Sequence, residues 1–172
     1  MSERLLRIPL FLVLFCCHDW ANADTRTLQV ELIVFEQRAP TTESFRQTET
    51  KITPVQQYAP AQSGVKTMNF EYSRLSRAGS YRPFYYQSWR IPVSSERVSL
   101  PIHIASEVQN LQGWIKIQRG NLLHVVADLE YSPSKSKGLI YRIAEKRRIL
   151  LNEVHFLDHP YFGVLLKVSP VE

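Results

Sequence analysis

The chain has 172 residues, 44% of them hydrophobic and 22% charged, with a formal net charge of +5. That length fits one domain, six Gly and ten Pro are too few for a collagen-like or disordered chain, and no apolar run reaches the ~20 residues of a membrane helix. A multidomain enzyme, a polytopic membrane protein and a coiled coil are thereby excluded.

The N-terminus has the layout of an address. Arg4 and Arg7 precede an apolar run from Ile8 to Cys17, His18-Asp19-Trp20 ends it, and Ala21-Asn22-Ala23 supplies a small-residue cleavage site. This order is that of a secretory signal, and the run is too short to span a membrane. Cleavage after Ala23 is expected, leaving 172 − 23 = 149 residues as a single domain, 24–172. It removes Glu3, Arg4, Arg7 and Asp19, so 21 − 2 = 19 basic and 16 − 2 = 14 acidic residues remain and the charge stays +5. Cys16 and Cys17 leave with the signal, so the mature chain is expected to have neither a disulfide nor a cysteine metal site. A basic protein outside the cytoplasm is expected to meet cell-wall peptides, lipid head groups or acidic proteins rather than chromosomal nucleic acid.

Thr27 to Phe35 alternates, with Leu28, Val30, Leu32 and Val34 on one face and Ile33 and Phe35 on the other. An interior strand covered on both sides has this pattern. Residues 36–66 carry Pro40, Pro54 and Pro60 with no sustained period, which reads as a long surface loop. Met68, Tyr72 and Leu75 at helical spacing predict a short amphipathic helix over Thr67 to Ala78, ended by Gly79. The aromatic-rich Tyr81 to Val93 predicts a strand, with Pro92 at its end or at a sheet edge. Leu100 to Ala105 is a further short strand.

Gly113 to Tyr131 is the clearest hairpin, with Gly120-Asn121 as its turn signal. A two-residue loop would pair Ile117 with His124 and mix polar with apolar groups on both faces. One more loop residue sorts them: Ile115, Ile117, Leu123, Val125, Ala127 and Leu129 share one face, and Trp114, Lys116, Gln118, His124 and Asp128 the other. Because a one-residue slip exchanges every side chain between faces, the sorted register is expected. The polar face is then either solvated or a binding surface.

Ser132 to Gly138 is a basic turn, and Leu139 to Leu151 alternates in part, ending in Lys146, Arg147 and Arg148. Glu153 to Leu157 is a short strand, and Asp158, His159, Pro160 and Gly163 have the composition of a structural turn. Phe162, Val164, Leu166 and Val168 share one face of a last strand. The expected fold is α+β: a mainly antiparallel sheet of about six or seven strands with one short helix, in one domain.

No phosphate-binding glycine loop and no nucleophile elbow is present. His155, Asp158 and His159 are the only metal-like group, and the strand-then-turn pattern sends them apart, so no metal and no cofactor is expected. Asp128 and Glu130 could serve a hydrolase as paired acids, but two acids on a strand's outer side are most often simply solvated. The arginine run reads either as charge protecting an edge strand or as a clamp for carboxylates, which guanidinium groups bind in bidentate fashion.

The segments Val30–Arg38 (VELIVFEQR), Tyr81–Val93 (YRPFYYQSWRIPV), Leu122–Tyr131 (LLHVVADLEY) and Lys146–Pro170 (KRRILLNEVHFLDHPYFGVLLKVSP) together resemble the CsiV family of periplasmic peptidoglycan-binding proteins. The resemblance implies a non-catalytic binding protein that supports peptidoglycan synthesis and cell shape in a Gram-negative cell. It implies peptidoglycan as ligand, and a penicillin-binding synthase or its lipoprotein activator as protein partner. The candidate ligand-binding residues are Arg147, Arg148, His155, Trp114, Lys116 and His124. The alternatives are a protein–protein adaptor for a synthase complex and a cell-wall hydrolase.

Overall fold

The computed structural model describes residues 25–38, 52–94, 99–133 and 139–171. The expected signal peptide, much of the 36–66 loop (39–51) and most of the basic turn (134–138) lie outside these residues.

The alternating segment at the start forms β1 (Thr25–Gln37). It lies between β3 (Tyr81–Ser94) and β9 (Phe162–Pro170), antiparallel to both. With β2 (Gln62–Ser63) and β8 (Val154–His159) at the edges, the order of this five-stranded sheet is β2-β3-β1-β9-β8. The second sheet is a four-stranded meander of β4 (Ile102–Ser106), β5 (Leu111–Arg119), β6 (Leu123–Tyr131) and β7 (Tyr141–Arg148), in that order. The fold is therefore mostly antiparallel sheet with one short helix in one domain, as expected, but with nine strands among the described residues and two sheets instead of one.

One face of each sheet turns inward. Leu28, Val30, Leu32 and Val34 of β1 and Phe162, Val164, Leu166 and Val168 of β9 meet Ile115, Ile117, Val125, Ala127 and Leu129 of the meander in a single core. The β5–β6 hairpin has the sorted register: Ile117 pairs with Val125 and Gln118 with His124, across the three-residue loop Gly120-Asn121-Leu122. Burial of the apolar face explains the choice, since the other register would put either His124 or Lys116 into the core. Gly113 has φ +139°, and a Cβ there would lie 2.1 Å from the Asp128 carbonyl oxygen, so this β5 position needs glycine.

The loop expected over 36–66 begins later and ends earlier than composition implied. Glu36 and Gln37 still pair with β3, and Gln62 and Ser63 add a two-residue strand to its far edge. The helix α1 (Asn69–Arg77) is shorter than expected at both ends. Met68 caps it without a side-chain hydrogen bond and is buried.

The outer side of the five-stranded sheet carries a second small layer. Tyr72 of α1 stacks on Tyr86, with ring centroids 5.5 Å apart. Phe35 stacks against Phe156 at 5.9 Å and meets Tyr81 edge-on. Both phenyl rings lie directly over Gly163, where a Cβ would come within 2.6 Å of each. Glu31, 1% exposed, ties this layer down. Its carboxylate accepts from the Thr67 and Met68 amides (2.6 and 3.1 Å), the Thr67 hydroxyl, the Tyr86 hydroxyl (3.1 Å) and Gln29 Nε2 (3.3 Å).

The reversal at the end of the chain comes later than the sequence suggested. Asp158 and His159 are still in β8, paired with Gly163 and Phe162, and Pro160-Tyr161 alone makes the turn. Gln37 fastens this hairpin to the end of β1. Its Nε2 donates to Asp158 Oδ1 (3.0 Å) and to the His159 carbonyl (2.8 Å), and its amide donates to the Tyr161 carbonyl (2.9 Å).

Candidate functional site

Strand alternation places every second meander residue on the face away from the core. Cross-strand pairing then lays that outer face out in rows. His103, Trp114, Asp128 and Ala144 form one, with Gln112, Glu130 and Arg142 beside it. On the other side of the Trp114 row lie Lys116, Val126 and Lys146, then Gln118, His124 and Arg148. The face is thus divided into two halves of different chemistry.

The half around Asp128 is closed. Arg142 grips Asp128 through two bonds, Nε to Oδ1 at 2.7 Å and Nη2 to Oδ2 at 2.8 Å. The Thr53 amide donates to the same carboxylate at 2.9 Å, and Trp114 Nε1 donates to the Thr53 carbonyl at 3.0 Å. Thr53 is therefore a strap joining the indole to the ion pair. Burial pushes the Asp128 carboxyl up, but the Arg142 and Thr53 bonds outweigh it and hold the group below the usual carboxylate range. Trp114 is 8% exposed. An indole in this position packs under a strap and offers no open ring face to a sugar.

The other half is open and carries Lys116, Lys146, Arg148 and His124 together with the uncharged Gln118 and Val126. Lys146 and Arg148 are exposed, while Lys116, Gln118 and His124 are half-buried. Cross-strand neighbours are about 5 Å apart, and residues two apart on one strand about 6.6 Å. Among the described residues, the side chains of Lys116, His124, Lys146 and Arg148 have no hydrogen-bond or ion-pair partner. The charges of Lys116, Lys146 and Arg148 and the ring nitrogens of His124 are available to a ligand.

The sequence candidates are thus split. Lys116, His124 and Arg148 come together, and Trp114 lies on the same face but is committed to Thr53. Arg147 is separated from them. Successive strand residues point to opposite faces, so Arg147 and Arg148 cannot form one clamp. Arg147 pairs with Glu145 (2.8 Å) and donates to the Phe156 carbonyl, joining the edges of the two sheets. His155 is occupied as well: its Nε2 accepts from the Leu150 amide at 3.0 Å and fastens the β7–β8 loop. His159 packs among Tyr141, Tyr161 and Phe162, and burial lowers its pKa against the opposing effect of Asp158.

Sequence reasoning left out Lys146 and Arg142 as site residues. Lys146 had a usable signal, since it and Arg148 are two apart and so share a face. Arg142 had none, because its pairing with Asp128 depends on the β6–β7 register. Among the described residues no three His, Cys, Asp or Glu come together as a metal-like group, and no helix is long and apolar enough to cross a membrane.

A family model described as "Peptidoglycan-binding protein, CsiV" matches residues 56–171, more than half of the chain. The chain belongs to the CsiV family of peptidoglycan-binding proteins. The match spans β2 to β9 and therefore contains the whole meander and its open cationic half, while β1 lies before it. Comparison with curated proteins and with solved structures returned no match.

Proposed function

We propose that this chain is a periplasmic, non-catalytic peptidoglycan-binding accessory protein that supports peptidoglycan synthesis and cell shape. Membership of a peptidoglycan-binding family carries the reading. The signal-like N-terminus supports export. The open cationic half of the meander supplies a surface for an anionic polymer. Of the two buried carboxylates that a hydrolase reading would recruit, Asp128 is held by Arg142 on both oxygens and Glu130 accepts from Gln112 Nε2 at 3.0 Å, which favours binding over catalysis.

Cosedimentation with purified sacculi tests the proposal. Protein is expected in the pellet at low salt, less of it as salt rises because exposed charges are screened, and no soluble muropeptides in the supernatant. Absence from the pellet at low salt would refute binding; release of muropeptides by the wild-type protein would make it an enzyme.

A further inference from the structure

We infer that the open half of the meander's outer face is a binding site for the peptide stems of peptidoglycan, read through their carboxylates, and not for the glycan. This rests on the peptidoglycan reading above and adds which part of the polymer is recognised. Three observations lead to it. First, the four groups Lys116, His124, Lys146 and Arg148 lie in two adjacent rows on three neighbouring strands, without a protein partner among the described residues. Second, no acid interrupts those two rows: Gln118 and Val126 complete them. Third, the tryptophan of this face, Trp114, is buried under Thr53 with its ring nitrogen satisfied, and the exposed Tyr58 packs on His103 in the Trp114 row, outside the open half. Sugar rings are typically held by open Trp, Tyr or Phe faces, and this half of the face has none of these. The glycan strand is also uncharged once its lactyl groups carry peptides, whereas the stems bear free carboxylates.

The spacing fits. Lys116 and Lys146 are two strands apart, about 9.5 Å, and Lys146 and Arg148 about 6.6 Å apart along β7. An extended peptide advances about 3.3–3.6 Å per residue, so carboxylates two to three residues apart on a stem fall at the same separations. Arg148 takes one carboxylate through its planar fork, and the lysines meet a second as mobile point charges. Val126, in the centre of the lysine row, gives the stem's alkyl portion an apolar contact.

Soluble muropeptides separate the alternatives. Titration of the full chain with a disaccharide–tetrapeptide containing diaminopimelate is expected to show binding. The same muropeptide with its carboxylates amidated, and uncharged N-acetylglucosamine oligomers standing for the glycan backbone, are expected to bind at least tenfold more weakly. Exposed charge pairs each contribute a factor of roughly 1.5 to 5, so Lys146→Ala/Arg148→Ala is expected to weaken tetrapeptide binding about five- to tenfold. Arg147→Ala, one residue away but on the other face, is expected to leave it unchanged. Circular dichroism of the variants is expected to match wild type, since Lys146 and Arg148 are exposed. Uncharged N-acetylglucosamine oligomers binding as well as tetrapeptide, or Arg147→Ala acting like the double variant, would overturn the stem reading while sacculus pelleting kept the peptidoglycan reading. Tighter binding to phosphatidylglycerol vesicles than to muropeptide would overturn it in favour of a membrane surface. Failure to pellet with sacculi at all would remove both.

Discussion

Glu31→Gln tests whether one buried carboxylate holds the layer outside the five-stranded sheet. The substitution keeps size and removes the charge. In the better amide orientation the nitrogen replaces Oε1, where the Thr67 hydroxyl can turn to accept from it, but Gln29 Nε2 loses its acceptor. An orphaned buried donor costs about 1 kcal/mol or more. The Thr67 amide, Met68 amide and Tyr86 hydroxyl keep an oxygen, now neutral. Exchanging three charge-assisted bonds for neutral ones costs roughly 0.5–1 kcal/mol each. Relief of the charge's desolvation offsets part of this, so the net loss is about 2 kcal/mol, or a Tm lower by about 4–8 °C for a domain of this size. Urea unfolding at pH 7 is expected to show a lower midpoint at unchanged slope, with faster hydrogen exchange at the Thr67 and Met68 amides. Burial first, and then the Glu31 carboxylate, raise the Tyr86 pKa, so the phenol is expected to titrate lower in the variant. A stability loss under about 0.5 kcal/mol, or unchanged exchange at Thr67 and Met68, would refute this account of the layer.

Two further outcomes are expected. Asp128→Asn should cost about 2 kcal/mol at pH 7 by stranding Arg142. The folded pKa of Asp128 is lowered, so its contribution is complete above the unfolded value near ~3.9 and fades as pH falls through the folded value. The gap between wild type and variant in urea midpoints should therefore narrow below about pH 4, and a gap that widens on acidification would contradict the pairing. Gly113→Ala meets both a left-handed φ of +139° and the Asp128 carbonyl at 2.1 Å. A loss on the order of 3 kcal/mol in chemical denaturation is expected, and a variant as stable as wild type would show that β5 does not need the glycine.

The division between what was legible in the chain and what was not follows the range of the interactions involved. Period-two alternation is local, so β1, the β5–β6 hairpin and β9 could be placed on their correct faces from residues alone. The hairpin register was legible for the same reason, since only one loop length keeps Lys116 and His124 out of the core. Family membership was legible in the ordered segments, above all Lys146–Pro170. What the residues could not show was long-range. Gln62–Ser63 has no strand signal and pairs because β3 presents a free edge. Glu31 sits among apolar residues of β1, and apart from Gln29 its partners are 36 to 55 residues away. The apparent cation run at 146–148 is divided by the pleat: Arg147 turns to Phe156 and Glu145, while Lys146 and Arg148 join Lys116 and His124 from two other strands. A sequence orders side chains along one strand, but which strands lie side by side is decided by burial of the shared core, and that alone brings these four groups onto one surface.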